Sequence, residues 1–200
     1  MTPRPPSPPG CFRCFVAVAV GETATAALRD LHQRLSRATP RHAVRWTPPD
    51  QWHLTLHFLG DVPVDRIAEL EQSLRPSLAG ARTFALRLEG LGAFPSPQAP
   101  RVLWVGMGGD LPGLQDVRQR VVQACARFGE PADSRPFHPH LTLGRTRQSD
   151  PQALRPWCEA SCDARPLPPC EWLVDRVALY RSELRPSGAV HTPLAAFPLA

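Results

Sequence analysis

The feature that most constrains this chain is a tetrapeptide that occurs twice. His-Leu-Thr-Leu spans residues 53–56 in QWHLTLHFLG and residues 140–143 in FHPHLTLGR. Leucine and threonine favour β-strands, and successive side chains of a strand point to opposite faces. Both copies therefore predict short strands that bury their leucines and present histidine and threonine together on the other face.

The elements predicted around the two motifs follow the same order. A strand, a helix and short elements lead from Phe15 to His53 and again from Val102 to His140, and both spans are 38 residues. This order predicts an internal duplication, with two lobes related by an approximate two-fold axis that brings the motif strands together. Because helices and strands mix without strict βαβα alternation, we predict a bilobal α+β fold with antiparallel sheets lining a central cleft.

Length and composition predict one domain. The chain has 200 residues and is 42% hydrophobic, which is enough for a substantial core. Residues 1–10, MTPRPPSPPG, are so rich in proline that we predict a disordered tail, which leaves 11–200 as the single bilobal domain. No apolar run approaches the roughly 20 residues of a membrane span. We therefore predict a cytoplasmic protein without membrane contact, and its six cysteines are expected to be reduced.

The charge of the chain suits an anionic partner. The formal net charge is +5, and all 23 basic residues are arginine. Guanidinium groups bind phosphate in bidentate fashion, but a basic balance permits a nucleic-acid partner without identifying one. Four arginines are candidate RNA-backbone contacts, although for each alone a solvated surface position is the better expectation: Arg41, Arg45, Arg181 and Arg185.

The paired motif predicts acid–base chemistry on a phosphate. The candidates for this chemistry are His53, His140, Thr55 and Thr142. Histidine has an unperturbed pKa of about 6.5, so one imidazole can take a proton from water while the other protonates a departing oxygen. Threonine hydroxyls can donate hydrogen bonds to the non-bridging phosphate oxygens. This scheme needs neither a metal nor a cofactor, and we expect neither.

Two alternatives stand beside this prediction. On a regular strand, His57 and His138 would share the faces of the motif histidines, so that the four imidazoles could form a metal site. Neighbours that line the cleft are the favoured interpretation of these two residues. The other alternative is a module that binds RNA or a nucleotide without turnover. Such a module is expected to have lost a motif histidine or threonine, and none is lost here.

With these motifs and their flanks, the chain resembles the 2H phosphoesterase superfamily, which is named for its two His-x-Thr-x motifs. It is most similar to the bacterial and archaeal RNA 2′,3′-cyclic phosphodiesterases, once called 2′-5′ RNA ligases. The resemblance covers nearly the whole chain after the leader. The segments that match are RCFVAVAV, VRWTPPDQWHLTLHFLGDV, GLGAFPSPQAPRVLWVGM, RPFHPHLTLGR and VALYRSEL.

The resemblance implies hydrolysis of a 2′,3′-cyclic phosphate to a 2′-phosphate without metal, together with a weak reverse 2′-5′ ligation of RNA. It implies that His53 is the general acid for the leaving 3′-oxygen and His140 the base for water, and the reverse order stays open. Thr55 and Thr142 would hold the phosphate. RNA ends, small cyclic nucleotides and 2′-5′ oligonucleotides remain alternative substrates, and we expect a monomer.

The resemblance also points to Arg145 and Phe15. Arg145 matches a family arginine beside the second motif and would contact phosphate or RNA. It lies five residues after His140, so on a regular strand it would face away, unless a bend at Gly144 brings it back. Phe15 matches an aromatic residue that can stack on the terminal base, with plain core packing as the alternative.

Overall fold

The computed structural model describes residues 7–131, 135–147, 152–162, 170–185 and 188–200. No helix within these ranges is long and apolar enough to cross a membrane. The elements, in chain order, are β1 (Cys11–Ala19), α1 (Glu22–Ala38), β2 (Val44–Trp46), β3 (His53–Pro63), α2 (Ile67–Leu78), β4 (Phe84–Phe94), β5 (Val102–Gly109), α3 (Leu111–Cys125), β6 (His140–Thr146), α4 (Arg155–Cys162), β7 (Glu171–Val174), β8 (Arg176–Arg185) and β9 (Gly188–Pro198).

The strands form a nine-stranded sheet in the order β7-β4-β5-β6-β3-β1-β8-β9, with β2 paired to β6. All the strand pairs are antiparallel. The order has an internal two-fold relation, because β6, β5, β4 and β7 on one side of the centre correspond to β3, β1, β8 and β9 on the other. The predicted α+β fold with two similar halves is confirmed.

The strand register shows the duplication in detail. Ala17 of β1 lies opposite Thr55, and Trp104 of β5 lies opposite Thr142. Both pairs are separated by 38 residues along the chain, which is the spacing read from the sequence. The two motif strands are neighbours at the centre of the sheet, as the predicted axis requires.

One face of the sheet is covered by helices. The motif leucines Leu54 and Leu141 are 1% and 0% exposed and belong to a single hydrophobic cluster with the apolar stripes of α1, α2 and α3. Burying a leucine side chain stabilises a fold by about 1.5–3 kcal/mol. These leucines therefore fix which face of each motif strand turns toward the helices, and the histidines and threonines must occupy the other.

Helix α2 continues past Pro76, although proline in a helix interior usually ends or kinks the helix. Leu74 and Leu78 are fully buried on either side of the proline. The hydroxyl of Ser77 also donates a hydrogen bond to the backbone carbonyl of Arg120 in α3, at 3.0 Å. Packing against α3 thus holds the last turn in place despite the backbone hydrogen bond that proline removes.

The stretch 171–185 forms two strands, β7 and β8. Strand β7 pairs with β4 in one half of the sheet, while β8 pairs with β1 in the other half. Asp175 stands between them, and its carbonyl accepts a hydrogen bond from the Leu199 amide. A single straight strand cannot serve both halves, so the chain has to break here.

The predicted disordered tail lies partly within the described residues. The Ser7 hydroxyl donates a hydrogen bond to the Asp61 carboxylate, and the Gly10 carbonyl accepts one from the Val64 amide at 2.9 Å. Residues 7–10 therefore pack against the end of β3. Residues 1–6 of the predicted tail lie outside the described part of the chain.

Candidate active site

The four predicted catalytic and phosphate-binding side chains lie on one face of the sheet, where β3 and β6 meet. Leu54 pairs with Leu141 at this point. Because the leucines turn toward the helices, the residues on either side of each, His53 with Thr55 and His140 with Thr142, point to the opposite face. Continuing the antiparallel register by one residue sets each histidine opposite the threonine of the other motif.

Both motif histidines make the same hydrogen bond. Nδ1 of His53 lies 2.8 Å from the carbonyl oxygen of Gln51, and Nδ1 of His140 lies 2.7 Å from that of His138. A carbonyl oxygen can only accept, so Nδ1–H is the donor in both rings. In the neutral imidazole the lone pair then belongs to Nε2, which is free to accept a proton.

The surroundings keep both histidines neutral near pH 7. Burial lowers the pKa of His53 to about 4; the hydrogen bond to Gln51 opposes this shift, and the charges of His191 and His140 add to it. Burial also lowers the pKa of His140, with the hydrogen bond to His138 acting against it. Two adjacent imidazoles that repel a second proton suit a division into one base and one acid.

Aromatic rings pack around each motif histidine. The ring of Phe15 stacks on His53 at 4.7 Å between centroids, and Tyr180 lies 6.3 Å away. In the other half, Phe94 meets His140 edge-on at 5.0 Å and Trp104 lies 6.2 Å away. These rings exclude water from one side of each imidazole, which accounts for the lowered pKa values.

Phe15, the predicted base-stacking residue, packs inside this arrangement. Its side chain is 3% exposed, and its ring stacks on Tyr180 at 5.1 Å as well as on His53. In this structure its ring packs against the imidazole of His53 and has no open face for a base. The core-packing alternative describes its position.

His191, in β9, is a site residue that the sequence analysis missed. Its ring meets His53 edge-on at 5.1 Å and Phe15 at 4.9 Å. Within the described residues its Nδ1 is buried without a hydrogen-bond partner. A lone histidine in a strand far from both motifs has no local signature, and only the β1–β8–β9 pairing brings it to the site.

Both motif strands have a β-bulge at the fourth residue of the motif. In the pairing of β1 with β3, Val16 lies opposite His57 and Ala17 opposite Thr55, so Leu56 is unpaired. Pairing with β5 passes from Gly144 directly to Thr142, which leaves Leu143 unpaired. A bulge inserts one residue, so the side chains beyond it exchange faces relative to a regular strand.

In the second motif the bulge turns Arg145 toward the site. Arg145 pairs with Val102, and Thr142 pairs with Trp104. Val102 and Trp104 are two residues apart on β5, so the side chains at these paired positions lie on the same face of the sheet. Arg145 therefore shares the face of His140 and Thr142, and the irregularity that brings it back is the bulge at Leu143, next to Gly144.

In the first motif the bulge turns His57 away from the site. The prediction that His57 shares a face with His53 is therefore wrong. Its side chain is 6% exposed, and its pKa is lowered by burial and then by the charge of Arg118 in α3. His138 does stay near His140, with centroids 6.5 Å apart. The four-histidine metal site is contradicted, and the described ranges contain no group of three or more side chains suited to a metal ion.

The threonine hydroxyls are available to a ligand. Thr55 and Thr142 are half-buried on the histidine face. Neither hydroxyl forms a hydrogen bond with another residue in the described part of the chain. Two donors without partners beside two anchored imidazoles form a site that can bind a tetrahedral anion.

Comparison with known proteins identifies the family. The model of the 2′-5′ RNA ligase superfamily matches residues 44–186, which include both motifs. The chain belongs to the 2′-5′ RNA ligase superfamily. This membership confirms the resemblance to the 2H phosphoesterases.

Curated members of the superfamily align with most of the chain. A Geobacillus stearothermophilus protein named RNA 2′,3′-cyclic phosphodiesterase is 33% identical over 189 residues, which cover 92% of this chain and 56% of that protein. The present chain thus spans little more than half the length of that relative. An Archaeoglobus fulgidus protein of the same name is 31% identical, with 93% of this chain and 99% of that protein covered.

Solved structures of superfamily members share the fold. A Thermus thermophilus protein matches with a TM-score of 0.73 and 30% identity, covering 94% of this chain and 97% of that one. The Escherichia coli protein LigT, solved with 3′-AMP, matches with a TM-score of 0.70 and 27% identity, covering 95% and 99%. LigT has also been solved with phosphate.

Proposed function

We propose that this chain is an RNA 2′,3′-cyclic phosphodiesterase, which hydrolyses the cyclic phosphate at an RNA 3′ end to a 2′-phosphate. The observation behind the proposal is the pairing of the two motif strands at Leu54 and Leu141, which sets two identically anchored histidines on one face. The name of the superfamily relatives supports the same reaction.

The reaction balances with these residues alone. The base accepts a proton from water at Nε2 as the water oxygen bonds to phosphorus. The bond from phosphorus to the 3′-oxygen breaks, and the acid donates its Nε2 proton to that oxygen. The products are a 2′-phosphate monoester and a 3′-hydroxyl, and each proton transfer contributes about 10²- to 10⁴-fold in rate.

Burial lowers the pKa of both motif histidines, and the charge of His140 adds to the lowering at His53. We propose the order of the two roles that the family resemblance implies, with His53 as the acid for the leaving 3′-oxygen and His140 as the base for water.

The threonines would stabilise charge on the phosphate. Thr55 and Thr142 flank the histidines from the two strands and would donate to the two non-bridging oxygens, where charge increases in the transition state. This scheme uses no metal ion, so a chelator is expected to leave turnover unchanged.

The test is direct. Purified protein with a chelator is incubated with an RNA that ends in a 2′,3′-cyclic phosphate, and the monoester formed is identified. The proposal predicts the 2′-phosphate. Formation of the 3′-phosphate would mean that the 2′-oxygen is the leaving group instead of the 3′-oxygen. Binding without turnover would favour the non-catalytic module. A monomeric state, a cytoplasmic location and the weak 2′-5′ ligation stay predictions.

A further inference from the structure

His191 is an imidazole at the site for which the proposed reaction has no role. It belongs to β9, and its ring meets His53 edge-on at 5.1 Å and Phe15 at 4.9 Å between centroids. Burial lowers the pKa of His191, so its ring is neutral near pH 7 and carries a single N–H. What His191 can do therefore depends on which of its two nitrogens holds the proton.

The surroundings of the two nitrogens of His191 differ. Nδ1 is buried and has no hydrogen-bond partner among the described residues. Nε2 is not enclosed in this way, and it also lacks a partner in the described part of the chain. Among backbone groups a buried N–H without an acceptor is rarer than a buried acceptor without a donor, and the same desolvation cost applies to an imidazole. The proton therefore belongs on Nε2, at the accessible edge of this half-buried ring.

This tautomer is the opposite of the one in the two motif histidines. His53 and His140 each donate from Nδ1 to a backbone carbonyl, which leaves the lone pair of the neutral ring on Nε2. His191 instead presents an N–H at Nε2. The first motif thus has, beside a nitrogen that can hold or release a proton, a fixed donor from another strand.

The second motif has a hydrocarbon ring in the corresponding contact. His191 meets His53 at 5.1 Å with an angle of 85° between the ring planes. Phe94 meets His140 at 5.0 Å and 84°, and a phenyl ring has no N–H or O–H to donate. His138 also lies beside His140, but it is exposed, tilted and 6.5 Å away. The two halves of the site therefore differ in how well they can stabilise an oxygen that gains negative charge.

We infer that His191 is a third catalytic residue, whose Nε2–H donates a hydrogen bond to the leaving 3′-oxygen. The inference rests on the proposed function and deepens it, because it gives a direction to a site whose two motifs are identical. As the bond from phosphorus to the 3′-oxygen breaks, the proton that this oxygen receives comes from Nε2 of His53, and His191 keeps its own. A fixed donor stabilises the charge on the oxygen until that transfer is complete.

Two substitutions separate hydrogen-bond donation from packing. His191→Gln keeps a neutral N–H donor but removes the ring, whereas His191→Phe keeps a ring but removes the donor. On an RNA ending in a 2′,3′-cyclic phosphate, with each variant at its own optimum pH, kcat/KM should fall about 10-fold to 100-fold in His191→Phe and less in His191→Gln. A packing role predicts the reverse order, which would overturn the inference. His42→Gln, at an exposed position outside the site, is the control and should match the wild type.

Sulfur at the leaving position tests where the hydrogen bond is made. Sulfur is a weak hydrogen-bond acceptor, so a 2′,3′-cyclic phosphorothiolate with sulfur as the 3′ bridging atom gains little from a donor. The deficit of His191→Phe relative to the wild type should largely disappear on this substrate, with the released thiol as the measured product. An equal deficit on the oxygen and sulfur substrates would place the contact at another atom and overturn the inference.

Two readouts do not depend on turnover. In ¹⁵N NMR spectra near pH 7, His191 should carry its proton on Nε2, and a proton on its Nδ1 would overturn the inference. Uridine 2′-phosphate should bind the wild type more tightly than 3′-deoxyuridine 2′-phosphate does, and His191→Phe should weaken that preference while His191→Gln keeps more of it. An unchanged preference in His191→Phe would overturn the inference. If the preference depends on His191 but the wild type hydrolyses no cyclic phosphate, the proposed function fails and the contact with the 3′-oxygen stands.

Discussion

Leu54 of the first motif lies directly opposite Leu141 of the second, at the centre of the sheet. This single pairing decides the geometry of the site. Both leucines are buried against the helices, so the flanking histidines and threonines from both motifs must share the opposite face. Two tetrapeptides 87 residues apart in the chain thereby form one small polar centre.

Removal of either threonine hydroxyl should slow catalysis without unfolding the protein. We expect Thr55→Ala and Thr142→Ala each to raise the activation free energy by about 2–4 kcal/mol, because each loses a donor to a charged phosphate oxygen. Thr→Ser at the same positions keeps the hydroxyl and serves as the matched control. Steady-state kinetics on a cyclic-phosphate RNA measures the loss, and a change of less than twofold would mean that the hydroxyls do not touch the phosphate.

The pH dependence of kcat/KM should peak on the acidic side of neutrality. Activity needs one neutral and one protonated histidine. Burial lowers the pKa of both, that of His53 to about 4, so the pair carries a single proton on the acidic side of the ordinary histidine value of 6.5. The maximum is expected between about pH 4 and that value. An optimum above neutral pH in the free enzyme would contradict these lowered pKa values.

The substitution His191→Phe tests the electrostatic contribution to that profile. The charge of His191 lowers the pKa of His53, and phenylalanine keeps a ring of similar size in contact with Phe15. The acid limb of the profile should therefore move to higher pH, while the alkaline limb stays in place. An unmoved acid limb would mean that His191 only packs against His53.

The stability of the fold should fall as the pH drops below about 6.5. Burial lowers the pKa of five histidines, which are His32, His53, His57, His140 and His191. For each of them the unfolded chain binds more protons than the folded chain in this range, so the free energy of unfolding decreases as the pH falls. Thermal unfolding from pH 7 to pH 5 measures the effect.

His57→Gln provides a control for that series. It should reduce the acid sensitivity of unfolding and leave turnover at the wild-type level, because the bulge at Leu56 directs His57 away from the site. Loss of turnover in a folded His57→Gln variant would contradict the register of β3.

The repeated tetrapeptide was enough to predict the duplication, the meeting of the two strands and the four motif side chains at their centre. The assumption that side chains alternate between the two faces of a strand failed beyond the fourth residue of each motif. A bulge lies there, and the sequence pattern alone does not reveal it. A regular strand would turn His57 toward the site and Arg145 away from it. The bulges at Leu56 and Leu143 reverse both orientations. The break at Asp175 and the contact of His191 depend on pairing between distant strands, for which the local sequence has no signal.

The most direct test of the account uses His53→Ala and His140→Ala. Each variant is compared with the wild type on an RNA ending in a 2′,3′-cyclic phosphate, in the presence of a chelator, with circular dichroism and thermal unfolding to verify the fold. The control is His42→Ala, an exposed histidine outside the site. We expect each motif variant to lose at least about 10²-fold in rate while the wild type and the control form the 2′-phosphate. Near-wild-type turnover in either folded motif variant would contradict two-histidine catalysis.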